Sequence, residues 1–188
     1  MSSVNSTLQQ INRKNSISRL GLWLFFASDA FMFGGLLVSR FYLLGNQKLE
    51  LNQILGLIVT SVLLISSFFM NRAEVMISKG NKKGFLTSLL ITIILGIGFL
   101  VGVVGLEWAD AHFGPMDGAQ GAVFYMMTGM HAFHVLTGII FLLFVLRIGM
   151  KGKFTPENHY MVEASANYWH FVDVIWIIFY PALYLMGV

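Results

Sequence analysis

Apolar residues fall in five long blocks separated by short polar stretches. The blocks run from Leu20 to Leu44, Ile54 to Ile77, Phe85 to Leu106, Ala119 to Leu146 and Tyr160 to Met186. Within each block the apolar positions are continuous rather than alternating. A helix needs about 20 such residues to cross a hydrocarbon core, whereas a barrel strand needs about ten that alternate. Helices also satisfy every backbone group internally, which lipid demands. The pattern predicts an all-α, polytopic membrane protein with five transmembrane helices. Residues 1–18 are rich in Ser, Asn and Gln and are expected to form a polar N-terminal arm or a surface helix. Residues 19–188 are expected to form one membrane-embedded domain. The first block is too long for a cleavable signal and lacks a small-residue cleavage site.

Composition sharpens this picture. The chain has 188 residues, 56% hydrophobic and 11% charged, where a soluble domain carries about 25% charged residues. A soluble core of this size would leave too much apolar surface in water. The net charge is +3, but the basic residues sit between the blocks, where they act as topology signals rather than as a nucleic-acid surface. Arg13, Lys14, Arg19, Arg72, Lys79, Lys82, Lys83, Arg147, Lys151 and Lys153 share one side of a five-span chain. Only Arg40 and Lys48 fall on the other. The N-terminus is therefore expected inside and the C-terminus outside. There is no cysteine, which excludes disulfides, iron–sulfur clusters and thiolate metal sites.

Ionisable residues inside a bilayer are costly and mark sites of interest. They are Asp29 in the first span, His131 and His134 in the fourth, and His170 and Asp173 in the fifth. At 1.5 Å per residue they lie roughly 12–24 Å from the inner side, which predicts one polar layer shared by three helices. Glu163 and Glu74 lie nearer the inner boundary. His131 and His134 are i, i+3 and share a helix face, as do His170 and Asp173, so Asp173 is expected to orient that imidazole. Three roles stay open on residues alone: a satisfied polar network, a proton-conducting or lipid-headgroup role, and a metal or haem site. Gly98 and Gly102 form a GxxxG pair suited to close helix contact. Trp23, Trp169 and Trp176 are candidates for helix packing or lipid contact, and Pro181 for a kink. No phosphate loop, nucleophile elbow or zinc-protease helix is present.

The stretch Tyr168-Trp169-His170-Phe171-Val172-Asp173-Val174-Ile175-Trp176, with Glu163-Ala164 before it, resembles the C-terminal signature of subunit III of haem–copper oxidases. So do Thr128-Gly129, the pair His131 and His134, and Val135 and Gly138 in the fourth span. The first span, with Ser28-Asp29 inside an aromatic run from Trp23 to Phe33, is similar to that family's third helix. Many mitochondrial-type members have two further helices at the start. The short form implies a bacterial source and the cytoplasmic membrane.

The resemblance implies a subunit of a cytochrome c oxidase complex that carries no redox centre itself. Haem and copper would lie in partner subunits I and II. This chain would bind phospholipid, stabilise subunit I and support proton uptake, while the complex reduces oxygen and pumps protons. Asp29, His131, His134, Glu163, His170 and Asp173 would form the buried polar layer, with a structural or proton-buffering role. The acid at position 29 is Asp where cytochrome c oxidases commonly have Glu. That leaves quinol open as the donor, and an accessory subunit of a nitric oxide reductase open as an alternative.

Overall fold

The structure is a computed structural model. It describes the backbone of residues 2–156 and 158–186, and the side chains of residues 17–156 and 158–186. The Arg13 and Lys14 side chains, used above as topology signals, lie outside the described residues. All described elements are helical, apart from an isolated bridge between Thr155 and Asn158. Among the described residues, five helices are long and apolar enough to cross a membrane: Ile17–Leu44, Gln53–Ser78, Lys82–Asp110, Gly118–Met150 and Tyr160–Leu185. The described residues are thus all-helical with five candidate membrane spans, as the apolar blocks predict.

We label the helices α1 (Ser2–Leu44), α2 (Gln53–Ser78), α3 (Lys82–Leu100), α4 (Gly118–Met150) and α5 (Tyr160–Tyr180). Two spans continue beyond their regular helix. After α3 the chain runs through a wide turn of i→i+5 type at Val101–Glu107 and a last turn at Trp108–Asp110. After α5 it runs through a second wide turn at Pro181–Leu185. Pro181 has no N–H to donate and its ring crowds the preceding turn, so the regular helix stops one residue earlier and re-forms with looser winding. The third block was expected to end at about Leu106, with Glu107 opening the outer loop. The span instead carries on to Asp110, since Glu107 finds a buried hydrogen-bond partner in the fold.

By compactness the chain divides into two units, Met1–Gly35 and Leu36–Val188. In the first, the Trp23 ring meets Phe26 edge-on at 5.9 Å between centroids. Trp23 itself is exposed, and Asp29 is half-buried. The second unit holds a ring of four helices: α2 packs on α3 and α5, and α4 packs on the other sides of the same two. Asn52 caps α2 by accepting from the Leu55 N–H, and Asn81 caps α3 by accepting from the Gly84 N–H, each satisfying a donor that a helix start leaves unpaired. The turn after α2 reaches the left-handed region at Gly80, φ 74°, where a side chain would be strained.

Arg40 departs from the reading of its charge as an outer topology signal. It is fully buried, and its guanidinium donates to the carbonyls of Ala182, Gly45, Gln47 and Met186 at 2.7–3.1 Å. The charge joins the end of α1 to the loop that follows it and to the wide turn after α5.

Candidate functional site

Three polar side chains of α5 are held by hydroxyl groups of α2. Ser66, Ser67 and Thr60 all lie on α2. Trp169 Nε1 donates to Ser66 Oγ at 3.0 Å, and Trp176 Nε1 donates to Thr60 Oγ1 at 2.9 Å. Ser67 Oγ and His170 Nδ1 share a hydrogen bond of 2.6 Å. Residues 169, 170 and 176 of α5 thus meet residues 66, 67 and 60 of α2, running in opposite directions along one seam. In a medium without water such pairs are the available way to satisfy an indole N–H.

The expectation that Asp173 orients His170 is not met. Ser67 takes that place, and neither carboxylate oxygen of Asp173 has a hydrogen-bond partner within reach. Asp173 is 3% exposed, and the Ser67 hydroxyl is the polar side chain that faces it. Spacing i, i+3 brings two residues to one helix face but leaves the direction of each side chain to its neighbours. A hydroxyl on the facing helix won that competition.

His131 is fully buried between two rings. Phe99 meets it edge-on at 5.5 Å, and Trp176 lies over it at 4.7 Å with 34° between planes. Neither ring nitrogen has a hydrogen-bond partner. His134, one turn on, has its Nδ1 2.8 Å from the Met130 carbonyl. A carbonyl only accepts, so Nδ1 carries the proton in that bond. The carbonyl of His134 in turn accepts from Tyr168 Oη at 3.0 Å and Thr137 Oγ1 at 2.9 Å. This ties α4 to α5. The two histidines therefore share a helix face without sharing a partner.

Toward the other end of the seam, Glu74 of α2, Glu163 in the first turn of α5 and His159 just before it interact electrostatically. Glu163 is half-buried. Of the residues expected to form one layer, the second unit thus carries two groups, His170 with Asp173 on α5 facing α2 and His131 with His134 on α4 beside α3 and α5, and Glu163 at a separate level. Among the described residues no three His, Cys, Asp or Glu side chains converge on a common point.

The tryptophans seat where the helices leave room. Trp169 lies against two glycines, Gly96 of α3 and Gly138 of α4. A Cβ on Gly96 would stand 2.6 Å from the indole, and one on Gly138 3.1 Å. Of the GxxxG pair, Gly102 is pressed against Val59 of α2, while a Cβ on Gly98 would meet Val62 only at 3.9 Å. Sequence reasoning put weight on Gly98 and not on its neighbour Gly96, because a motif names spacing and not the ring that fills the gap. It also missed Ser66, Ser67 and Thr60. A serine on an apolar helix is an ordinary residue until its partner is known.

The described residues form an all-helical bundle with five candidate membrane spans, the form of a multi-pass membrane protein. The family model described as cytochrome c oxidase subunit III matches residues 10–188, and the chain belongs to that family. Curated relatives named cytochrome c oxidase subunit 3 include that of Gallus gallus, 36% identical over 182 residues, covering 90% of this chain and 69% of its own length. Those of Rattus norvegicus and Papio hamadryas are 35% and 37% identical over the same span. Membership makes this chain part of an oxidase complex with other subunits.

Proposed function

We propose that this chain is the non-redox subunit III of a proton-pumping haem–copper terminal oxidase in a bacterial cytoplasmic membrane. Its N-terminus lies inside and its C-terminus outside. Haem and copper reside in partner subunits I and II, and cytochrome c or quinol supplies the electrons. The chain packs beside subunit I, holds phospholipid and supports proton uptake, so that the complex lasts through turnover. The single observation behind this reading is the match along residues 10–188. The basic residues that flank the spans favour the orientation.

The lipid role draws support from a groove of about 540 Å³ lined by Leu100, Val101, Val104, Gly105, Ala132, Phe133 and Leu136. Its wall is apolar throughout, which suits an acyl chain. The polar residues Asp29, His131, His134, Glu163, His170 and Asp173 are structural or proton-buffering in this reading. The unpartnered oxygens of Asp173 and nitrogens of His131 are where a proton or an internal water would reside.

The test is removal. An oxidase stripped of this chain keeps its haem spectrum and initial turnover and inactivates sooner than the intact complex. Loss of the haem spectrum on removal would overturn the reading. Capture of the tagged chain with a nitric oxide reductase in place of an oxidase would replace it with the alternative.

A further inference from the structure

We propose that Ser67 links Asp173 and His170 into a one-proton relay inside the bilayer, in which the proton of the carboxyl sets the tautomer of the imidazole. His170 and Asp173 are i, i+3 on one face of α5, and Ser67 of α2 lies opposite. Ser67 Oγ and His170 Nδ1 are 2.6 Å apart, and the same hydroxyl is the polar side chain that faces Asp173. Both Asp173 oxygens are buried without a hydrogen-bond partner, in a residue 3% exposed. A carboxyl left so in a dry interior is costly, and Ser67 is the donor at hand. A turn of the carboxyl about its side-chain bonds, or one water, closes the gap.

A hydroxyl has one proton to give and lone pairs with which to accept. Ser67 therefore cannot donate to His170 and to Asp173 together, and two arrangements satisfy all three groups. In the first, Asp173 is the neutral acid and donates to Ser67 Oγ, Ser67 donates to His170 Nδ1, and the ring keeps its proton on Nε2. In the second, Nδ1–H donates to Ser67 Oγ, Ser67 donates to the Asp173 carboxylate, and Nε2 is bare. The imidazole is neutral in both, and the first holds one proton more. Passing from the first to the second, the acid proton moves to Ser67, the former Ser67 proton moves to Nδ1, and the Nε2 proton leaves. A proton that enters at the buried carboxyl thus departs from the half-buried imidazole.

The surroundings leave this exchange to the three groups. The elements packed on α5 are α2, α4 and the wide turn at Pro181–Leu185. Their acids and imidazoles are engaged elsewhere. Glu74 of α2 interacts with Glu163 and His159, His134 of α4 holds the Met130 carbonyl, and His131 lies between Phe99 and Trp176. Tyr184 of the turn donates to Glu107. Arg72 of α2 and Arg147 of α4 are exposed. Among the described residues no charged side chain acts on His170 or Asp173. The relay deepens the proton-buffering reading of these residues, and it rests on that reading only for its use in the complex.

The test follows the full chain in phosphatidylcholine nanodiscs as pH rises. Nitrogen NMR of labelled histidine reads the tautomer of His170, and infrared spectroscopy reads the protonated carboxyl, assigned by its loss in Asp173→Asn. In the wild type the carboxyl band and the Nε2-protonated tautomer should disappear together, with one proton released per chain. Ser67→Ala should leave the carboxyl to titrate while the tautomer no longer follows it. Ser67→Thr keeps a hydroxyl and should keep the link, a rescue that a merely structural role would not require. Asp173→Asn should abolish the pH step at His170. A wild-type tautomer that stays fixed while the carboxyl titrates would overturn the proposal, whether or not the variants fold. So would a carboxyl that never changes protonation, or a link that survives in Ser67→Ala. Any of these results leaves the subunit reading standing, since removal of the chain from the intact oxidase tests that separately.

Discussion

The indole of Trp169 lies so close to Gly96 that the two residues, on different helices, share a space that has no room for a single extra methyl group. The same ring donates to Ser66 Oγ on a third helix. One side chain of α5 therefore sets the spacing of α2, α3 and α4.

Gly96→Ala should destabilise the chain by about 1–3 kcal/mol, the usual cost of overpacking. A milder loss is expected at Gly138→Ala, and little at Gly98→Ala, where a Cβ meets only ordinary contact. Thermal unfolding in detergent, followed by tryptophan fluorescence, ranks the three. Equal effects at Gly96 and Gly98 would contradict the packing described.

Ser66→Ala leaves the Trp169 N–H buried and unpaired. Hydrogen bonds between membrane helices average about 0.6 kcal/mol, with a maximum near 1.7. The expected loss lies in that range, and the double variant with Trp169→Phe should cost less than the sum of the two single changes. A double-mutant cycle on the unfolding free energy checks it.

Arg40 donates to four backbone carbonyls, two of them beyond Tyr180. Lysine carries the charge but not the planar fork. Arg40→Lys should therefore loosen the turn at Pro181–Leu185 nearly as much as Arg40→Met. Hydrogen exchange of the Met186 amide, bonded to the Pro181 carbonyl, reads this directly. Full protection in the lysine variant would show that charge alone suffices.

Ser67→Ala removes the partner of His170 Nδ1. The tautomer of His170, read by nitrogen NMR, should shift, while that of His134 stays with its proton on Nδ1 because the Met130 carbonyl is untouched. A change at His134 of similar size would mean that the two imidazoles belong to one connected network, contrary to the separate partners seen here.

Much of this protein is legible without coordinates. Five continuous apolar blocks specify five helices, because a bilayer accepts no other way of satisfying the backbone over such lengths. The ends are less legible. Glu107 reads as the outer limit of a span until Tyr184 is known to meet it, and Arg40 reads as a solvated charge until four carbonyls surround it. Polar residues inside the spans are easily picked out by their cost in lipid. Their partners are not, since serine and threonine on an apolar helix carry no signal of the ring they serve.

The order of residues alone therefore determined the number of helices, their medium and which groups needed protein around them. These follow from local hydrophobicity and from the price of a charge in hydrocarbon. Only the tertiary structure decided that Ser67 rather than Asp173 holds His170, that Gly96 rather than Gly98 admits an indole, and that Glu107 is buried. Such choices depend on the rotation of one helix against another. That rotation is settled by the summed packing of all four helices in the ring and not by any one segment.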